Sequence, residues 1–136
     1  MRGTTMRTLS LRTTQHTEFV NLDDKLATVI AESGVSRGFL HVFVPHTTAG
    51  ITINENADPD VRADLIKIFE RAVPWVGEYA HAEGNSAAHA KASMVGFHQA
   101  VFIEDGRMAL GTWQSVFFCE FDGPRTRSVW VRVVPA

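Results

Sequence analysis

One domain combining helices with antiparallel strands, of α+β content, is what this sequence predicts, on three observations. Apolar residues recur at helical spacing in two stretches, from Leu22 to Ile30 and from Val61 to Phe69. Alternating or β-rich runs occupy the N-terminal part, the segment from Phe39 to Ile53, and the last third of the chain. At 136 residues and 15.0 kDa the chain is the right size for one core, so a single domain over residues 1–136 is expected.

Taken in order, Leu9 and Leu11 alternate with Ser10 and Arg12 as in a half-buried strand, and Glu18 to Val20 makes a second short one. Asn21 can cap the first helix, with Asp24 three residues on; Leu22, Leu26, Val29 and Ile30 line one face, and Gly34 stops it. Phe39 to Val44, ended by Pro45, and Ile51 to Ile53 suggest adjacent core strands. Asp58-Pro59 is a cap followed by proline at the first helical position, and the second helix runs toward Pro74. Ser86 to Met94 is alanine-rich enough for a short helix closed by Gly96. Phe97 to Ile103, Arg107 to Phe121 with a break, and Arg127 to Val134 read most simply as a meander.

Composition narrows the function. Hydrophobic residues at 45% and charged residues at 21% are ordinary for a globular protein, and no apolar run approaches the roughly 20 residues that span a bilayer, so no membrane partner is expected. Met1 to Thr14 lacks the apolar region of a secretory signal. Cys119 is the only cysteine and lies in the apolar run Val116 to Phe121, which excludes an intrachain disulfide and fits the reducing cytoplasm. A net charge of -2 offers no global attraction to nucleic acid, so anion recognition has to come from a local cluster such as Arg125 with Arg127.

Three polar clusters interrupt the apolar pattern. The first runs from His46 to Asp58 and holds Thr47, Thr48, Asn54 and Glu55; its threonines also suit turns, and Asp58 is best read as a helix cap. The second is His81, Glu83, Asn85, His89 and Lys91. Imidazole and carboxylate suit a divalent ion such as Zn or Mg, yet the eight-residue interval from His81 to His89 matches no local metal motif, and both histidines could simply be solvated. In the third, Trp113 and Gln114 could line a ligand wall or pack in the core. Arg125, beside Asp122-Gly123-Pro124, could clamp a phosphate or pair with Asp122 or Glu120. His41 and His98 read as strand residues. No P-loop, dinucleotide fingerprint or serine-hydrolase elbow is present.

Taken together, His46-Thr47-Thr48-Ala49, Asn54-Glu55-Asn56-Ala57-Asp58-Pro59-Asp60-Val61-Arg62, His81 with Glu83-Gly84-Asn85, Ala88-His89-Ala90-Lys91-Ala92-Ser93 and Gly111-Thr112-Trp113-Gln114 resemble the YjbQ family, also labelled UPF0047 or secondary thiamine-phosphate synthase. The resemblance runs from about Arg7 to Val134. It implies an α+β fold with a mixed, mostly antiparallel sheet wrapped around a helix and further short helices, a homotrimer, and a polar cleft. The label implies joining hydroxymethylpyrimidine diphosphate to a thiazole phosphate with release of pyrophosphate. On that reading His46, His81 and His89 would hold a divalent ion, and Thr47, Thr48, Asn54, Asn85, Lys91, Trp113, Gln114 and Arg125 would bind a phosphorylated substrate. The alternatives are a metal-dependent hydrolase of a phosphorylated small molecule, with Glu55 or Glu83 as general base, and a noncatalytic trimeric module that binds a metabolite or metal.

Overall fold

The computed structural model describes residues 5–136; residues 1–4, on which part of the expectation of no secretory signal falls, lie outside it. Strand β1 (Arg7–Arg12) and β2 (Glu18–Asn21) precede helix α1 (Asp23–Ser33); β3 (Gly38–Phe43) and β4 (Ala49–Glu55) precede α2 (Pro59–Ala72) and α3 (Ser86–Val95). Strands β5 (His98–Glu104), β6 (Arg107–Met108), β7 (Gln114–Glu120) and β8 (Thr126–Pro135) complete the chain.

The local signals work as the residue chemistry requires. Asn21 Oδ1 accepts the Asp23 N–H at 2.7 Å, so it caps α1 from one residue further out than the usual N-cap position, which Leu22 takes. Gly34 closes α1 with φ 70°, a left-handed value that costs glycine little. At the start of α2, Asp58 accepts the Asp60 N–H at 2.9 Å and Pro59 takes the first turn.

The strands form two sheets, one of five in the order β1-β8-β3-β5-β6 and one of three in the order β2-β7-β4. Every pairing is antiparallel. Two expectations are corrected here. The last third is not a meander: β7 leaves for the smaller sheet, while β8 returns to lie between β1 and β3. Nor are β3 and β4 neighbours, since Pro45 ends the first ladder and the chain crosses to the other sheet.

Layering explains the burial. One core lies between the sheets and takes Leu26, Val29 and Ile30 from α1, Leu40 and Val42 from β3, Val129 and Val131 from β8, and Ile51 and Phe118 from the smaller sheet. A second core lies between the smaller sheet and helices α2 and α3, where Phe19, Phe117, Cys119 and Phe121 meet Leu65, Phe69, Ala88 and Ala92. β7 therefore has apolar side chains on both faces and is buried from Ser115 to Glu120. Among the described residues no helix or second sheet covers the other face of the five-stranded sheet. No helix among the described residues is long and apolar enough to cross a membrane.

Candidate functional site

At the end of the smaller sheet where Ala49 pairs with Glu120, three segments converge. They are the β3–β4 connection with His46, Thr47 and Thr48, the start of α3 with Asn85 and His89, and the β7–β8 turn with Arg125 and Arg127. With Pro45, His81 and Glu83 these residues line a cleft of about 420 Å3. Eight of the expected site residues thus come together, all but Glu83 being donors or amphoteric groups: His46, Thr47, Thr48, His81, Glu83, Asn85, His89 and Arg125.

The floor is a buried ion pair. Arg127 is 4% exposed and Glu120 is fully buried. Arg127 Nε donates to Glu120 Oε1 at 2.8 Å, and Nη2 donates to Glu120 Oε2 and to Thr48 Oγ1, the latter at 2.9 Å. Glu120 also accepts from the Thr13 hydroxyl at 2.8 Å and from the Asp122 N–H at 3.0 Å. Burial pushes the Glu120 carboxyl up, but the Arg127 guanidinium, the Asp122 N–H and the Thr13 hydroxyl outweigh it and hold it below its ordinary value. Nη1 of Arg127 makes no hydrogen bond among the described residues, so a rigid guanidinium retains one unused donor group beside the cleft.

Above this floor Asp122 joins two elements. Its Oδ2 accepts from Arg125 Nη2 at 2.8 Å and from Asn85 Nδ2 at 2.9 Å, which ties the β7–β8 turn to the start of α3. The turn sits tightly against the body. A Cβ on Gly123 would stand 2.3 Å from Gln15 O, 2.8 Å from Glu120 Cγ and 2.9 Å from Thr13 Oγ1. Gly123→Ala is therefore expected to cost about 1–3 kcal/mol, as overpacking does, read as a lower urea midpoint with an unchanged denaturant slope.

His46 is set by its surroundings. Nε2 accepts the Ser128 N–H at 2.9 Å, so in the neutral ring Nδ1 carries the proton. Burial and then the Arg127 charge lower its pKa, so at neutral pH His46 is an uncharged ring whose only free nitrogen is a donor. His81 and His89 stand edge to face with centroids 5.4 Å apart, and His81 Nε2 is 4.0 Å from Glu83 Oε1. These donors do not fit one ion shared by all three histidines. The lone pair of His46 is already committed to a backbone N–H, and ligation through Nδ1 would require an imidazolate. Among the described residues no group of three or more His, Cys, Asp or Glu side chains is placed to hold a metal.

Five expected residues lie elsewhere. Asn54, Glu55, Trp113 and Gln114 sit at the far end of the β4–β7 pair, where Glu55 faces Gln114. A seven-residue strand puts that end roughly 20 Å from the cleft. There Gln114 Oε1 accepts the Gly111 N–H at 2.8 Å and Asn54 Oδ1 accepts the Glu55 N–H at 2.7 Å, both turn-forming roles, while Trp113 remains 62% exposed. Lys91 is on α3 but turned away from His89: it is 1% exposed, lies outside the cleft lining, and makes no hydrogen bond or ion pair among the described residues. Burial lowers its pKa, and Glu70 only partly offsets this. An ammonium that loses hydration without gaining a partner destabilises the fold. Lys91→Met is expected to raise stability by about 1 kcal/mol in chemical denaturation, with cleft binding unchanged.

The pair Arg127–Glu120 carries more of this site than the residue types alone suggest. A signal for it exists in the sequence: Arg127 shares strand parity with the apolar Val129, Val131 and Val133, and Glu120 interrupts the apolar run from Val116 to Phe121.

Comparison with known proteins agrees with this architecture. The family model described as "UPF0047 protein YjbQ-like" matches residues 7–136. The UPF0047 protein YugU of Bacillus subtilis is 47% identical over 130 residues, covering 95% of this chain and 98% of its own. A UPF0047 protein of Methanocaldococcus jannaschii is 47% identical over 124 residues, covering 91% and 90%. A crystal structure of an uncharacterized YjbQ/UPF0047 protein from Clostridium acetobutylicum superposes with a TM-score of 0.92 at 50% identity, covering 94% of this chain and 99% of that one. A YbjQ-like protein of unknown function from Sulfolobus solfataricus gives 0.92 at 26% identity, with 97% of each chain covered. With the family model spanning nearly the whole chain and relatives of this identity matching end to end, this protein belongs to the YjbQ-like UPF0047 family.

Proposed function

We propose that the cleft binds the phosphate or diphosphate of a small molecule, and that its reaction is a transfer of the thiamine-phosphate synthase kind. The observation that supports this most is the nearly buried Arg127, held by Glu120 with Nη1 unused, beside Arg125 in a cleft whose lining has a single carboxylate, Glu83. Fixed guanidinium groups stabilise an anion as its charge develops, without reorganising. In such a transfer the thiazole nitrogen attacks the pyrimidine methylene carbon, the carbon–oxygen bond to the diphosphate breaks, and the bonding electrons leave with that oxygen. Arg125 and Arg127 neutralise the departing diphosphate, and the His46 Nδ1–H and the Thr47 hydroxyl supply further donors. The thiazole nitrogen has no proton to lose, so Glu83 has no base role in this step. Metal-independent hydrolysis of a phosphorylated molecule is the second reading, favoured by the closeness of Glu83 to His81, which suits activation of a water.

For Trp113, Gln114, Asn54 and Glu55 to touch the same substrate, they must come from a neighbouring copy, because β4 separates them from their own cleft. The assembly that goes with this reading is a homotrimer, and the setting is the cytoplasm, in keeping with the free, buried thiol of Cys119.

The test is to supply hydroxymethylpyrimidine diphosphate and thiazole phosphate together and measure pyrophosphate. Pyrophosphate released in step with thiamine phosphate is the expected result. Orthophosphate from either compound alone supports the hydrolase, and saturable pyrophosphate binding without turnover leaves a binding module. Failure to bind pyrophosphate at all overturns the anion site itself.

A further inference from the structure

One charge in the cleft opposes an anion, that of Glu83. It is the single carboxylate of the lining, it shares the cleft with the donors Arg125, Arg127, His46 and Thr47, and the transfer proposed above leaves it no proton to take. Toward a bare phosphate its charge only repels. Its place is nevertheless fixed. Ala82 and Glu83 are the central residues of a turn that the Gly84 N–H closes on His81 O at 3.1 Å, and Gly84 follows with a left-handed φ of 74°. Asn85 then ties the carboxylate to the opposite wall. Its Nδ2 donates to Glu83 Oε2 at 3.4 Å and to Asp122 Oδ2 at 2.9 Å, and that same Asp122 oxygen accepts from Arg125 Nη2 at 2.8 Å. Both partners of the amide are acceptors, so its orientation is dictated, and Oδ1 is left buried without a hydrogen bond among the described residues. A side chain only 5% exposed thus gives up one acceptor while it holds two carboxylates. Laid end to end, the links of 3.4, 2.9 and 2.8 Å put Glu83 Oε2 at most about 9 Å from Arg125 Nη2.

We infer that Glu83 selects the ligand by accepting from an amino group that the molecule carries a few bonds from its phosphate. The inference rests on the anion-binding reading of the cleft and names the class of molecule it takes: a small phosphate or diphosphate ester that also bears an amine or a ring amino group. Such a molecule sets its anion on Arg125 and Arg127 and its N–H groups on Glu83, so each wall meets the opposite hydrogen-bonding sense. Glu83 Oε1 is free for this. It stands 4.0 Å from His81 Nε2, beyond hydrogen-bond distance, and makes no hydrogen bond among the described residues. A phosphate without the amine leaves a carboxylate facing an anion, and an amine without the phosphate forgoes both guanidinium groups. The cleft thereby discriminates against each half alone. The span that Asn85 sets keeps the class small, with one ring or a short chain between the two groups.

Calorimetric titration with O-phosphoethanolamine, ethyl phosphate and pyrophosphate tests this on the wild type, Glu83→Gln and Glu78→Gln. The two esters differ by one ammonium group, and at about pH 8 both phosphates are dianions while the amine keeps its proton. Glu78 is exposed on the same connection and lies outside the cleft lining, so its variant controls for the loss of a charge. The wild type and Glu78→Gln should bind phosphoethanolamine about fivefold more tightly than ethyl phosphate, the preference expected of an ion pair open to water. Glu83→Gln should bind the two esters alike, phosphoethanolamine more weakly than the wild type does and ethyl phosphate at least as tightly. A preference that survives Glu83→Gln, one that Glu78→Gln also abolishes, or none in a wild type that still binds pyrophosphate overturns the inference and leaves the anion site standing. A wild type that binds neither ester nor pyrophosphate removes the anion site, and the inference with it.

Discussion

Arg127→Met is expected to lower the unfolding free energy by about 3–5 kcal/mol, the loss usual when one partner of a buried ion pair is removed. Glu120 is fully buried and keeps its charge because Arg127 donates to both of its oxygens. In the variant the Thr13 hydroxyl and the Asp122 N–H remain, but they cannot balance a full negative charge away from water. The same arginine anchors Thr48, so the β3–β4 connection loosens as well. A second substitution separates the causes. Arg127→Met combined with Glu120→Leu removes both charges, and most of the lost stability should return. If the double variant is no more stable than the single one, packing rather than the orphaned carboxylate is responsible.

The pair also has a pH signature. Glu120 has a folded pKa below its ordinary value of 4.5, so its contribution is complete above that value and is lost as the pH falls through the folded one. Without Arg127 the buried carboxyl takes up a proton above its ordinary value, so the stability gap between wild type and Arg127→Met should begin to close above pH 4.5 and go on closing as the pH falls through the lower folded value of the wild type. Urea midpoints across that range check the sign.

Arg125→Ala is expected to weaken binding of thiazole phosphate tenfold to a hundredfold while leaving its dephosphorylated alcohol nearly unaffected. Losing a charge-assisted hydrogen bond costs about 1.5–3 kcal/mol, which is that range of affinity. In the free protein Arg125 is already engaged, with Nη2 on Asp122 Oδ2 at 2.8 Å and Nε on Asp122 O at 2.7 Å. That pair is half-exposed and is worth at most about 1 kcal/mol, so a phosphate can compete for the guanidinium. Arg125→Lys should recover only part of the loss, because an ammonium cannot form the two parallel bonds. Calorimetric titration of the three proteins with both ligands decides it. Equal affinities for thiazole phosphate would mean that Arg125 serves only to hold Asp122.

Local chemistry made much of the chain legible. Caps, glycine stops and helical spacing are interactions between residues a few positions apart, so α1, α2 and α3 lie close to where the sequence puts them. The motif residues His46, Thr47, Thr48, His81, Asn85 and His89 were visible as polar interruptions of apolar runs, and they do share a cleft. Sheet order was not legible. Strand alternation says which residues share a face but not which strand lies alongside, and so β7 and β8 read as successive members of one meander although they belong to different sheets.

The same limit divided the expected site. Asn54, Glu55, Trp113 and Gln114 are close in sequence to cleft residues yet stand at the opposite end of a strand pair. Lys91 is two residues from His89, but a helix turns about 100° per residue, which carries it to another face and into the interior. What the sequence by itself determined is the set of elements, the family, and a pool of polar residues suited to an anion. Only the tertiary structure decided which of them meet, that Arg127 and Glu120 form the buried floor, and that the His46 lone pair is spent on the Ser128 N–H. The His46–Ser128 and Thr48–Arg127 contacts join residues some 80 positions apart, which no local pattern encodes, whereas the Arg127–Glu120 pair spans seven residues and shows in the sequence only as strand parity and an interrupted apolar run.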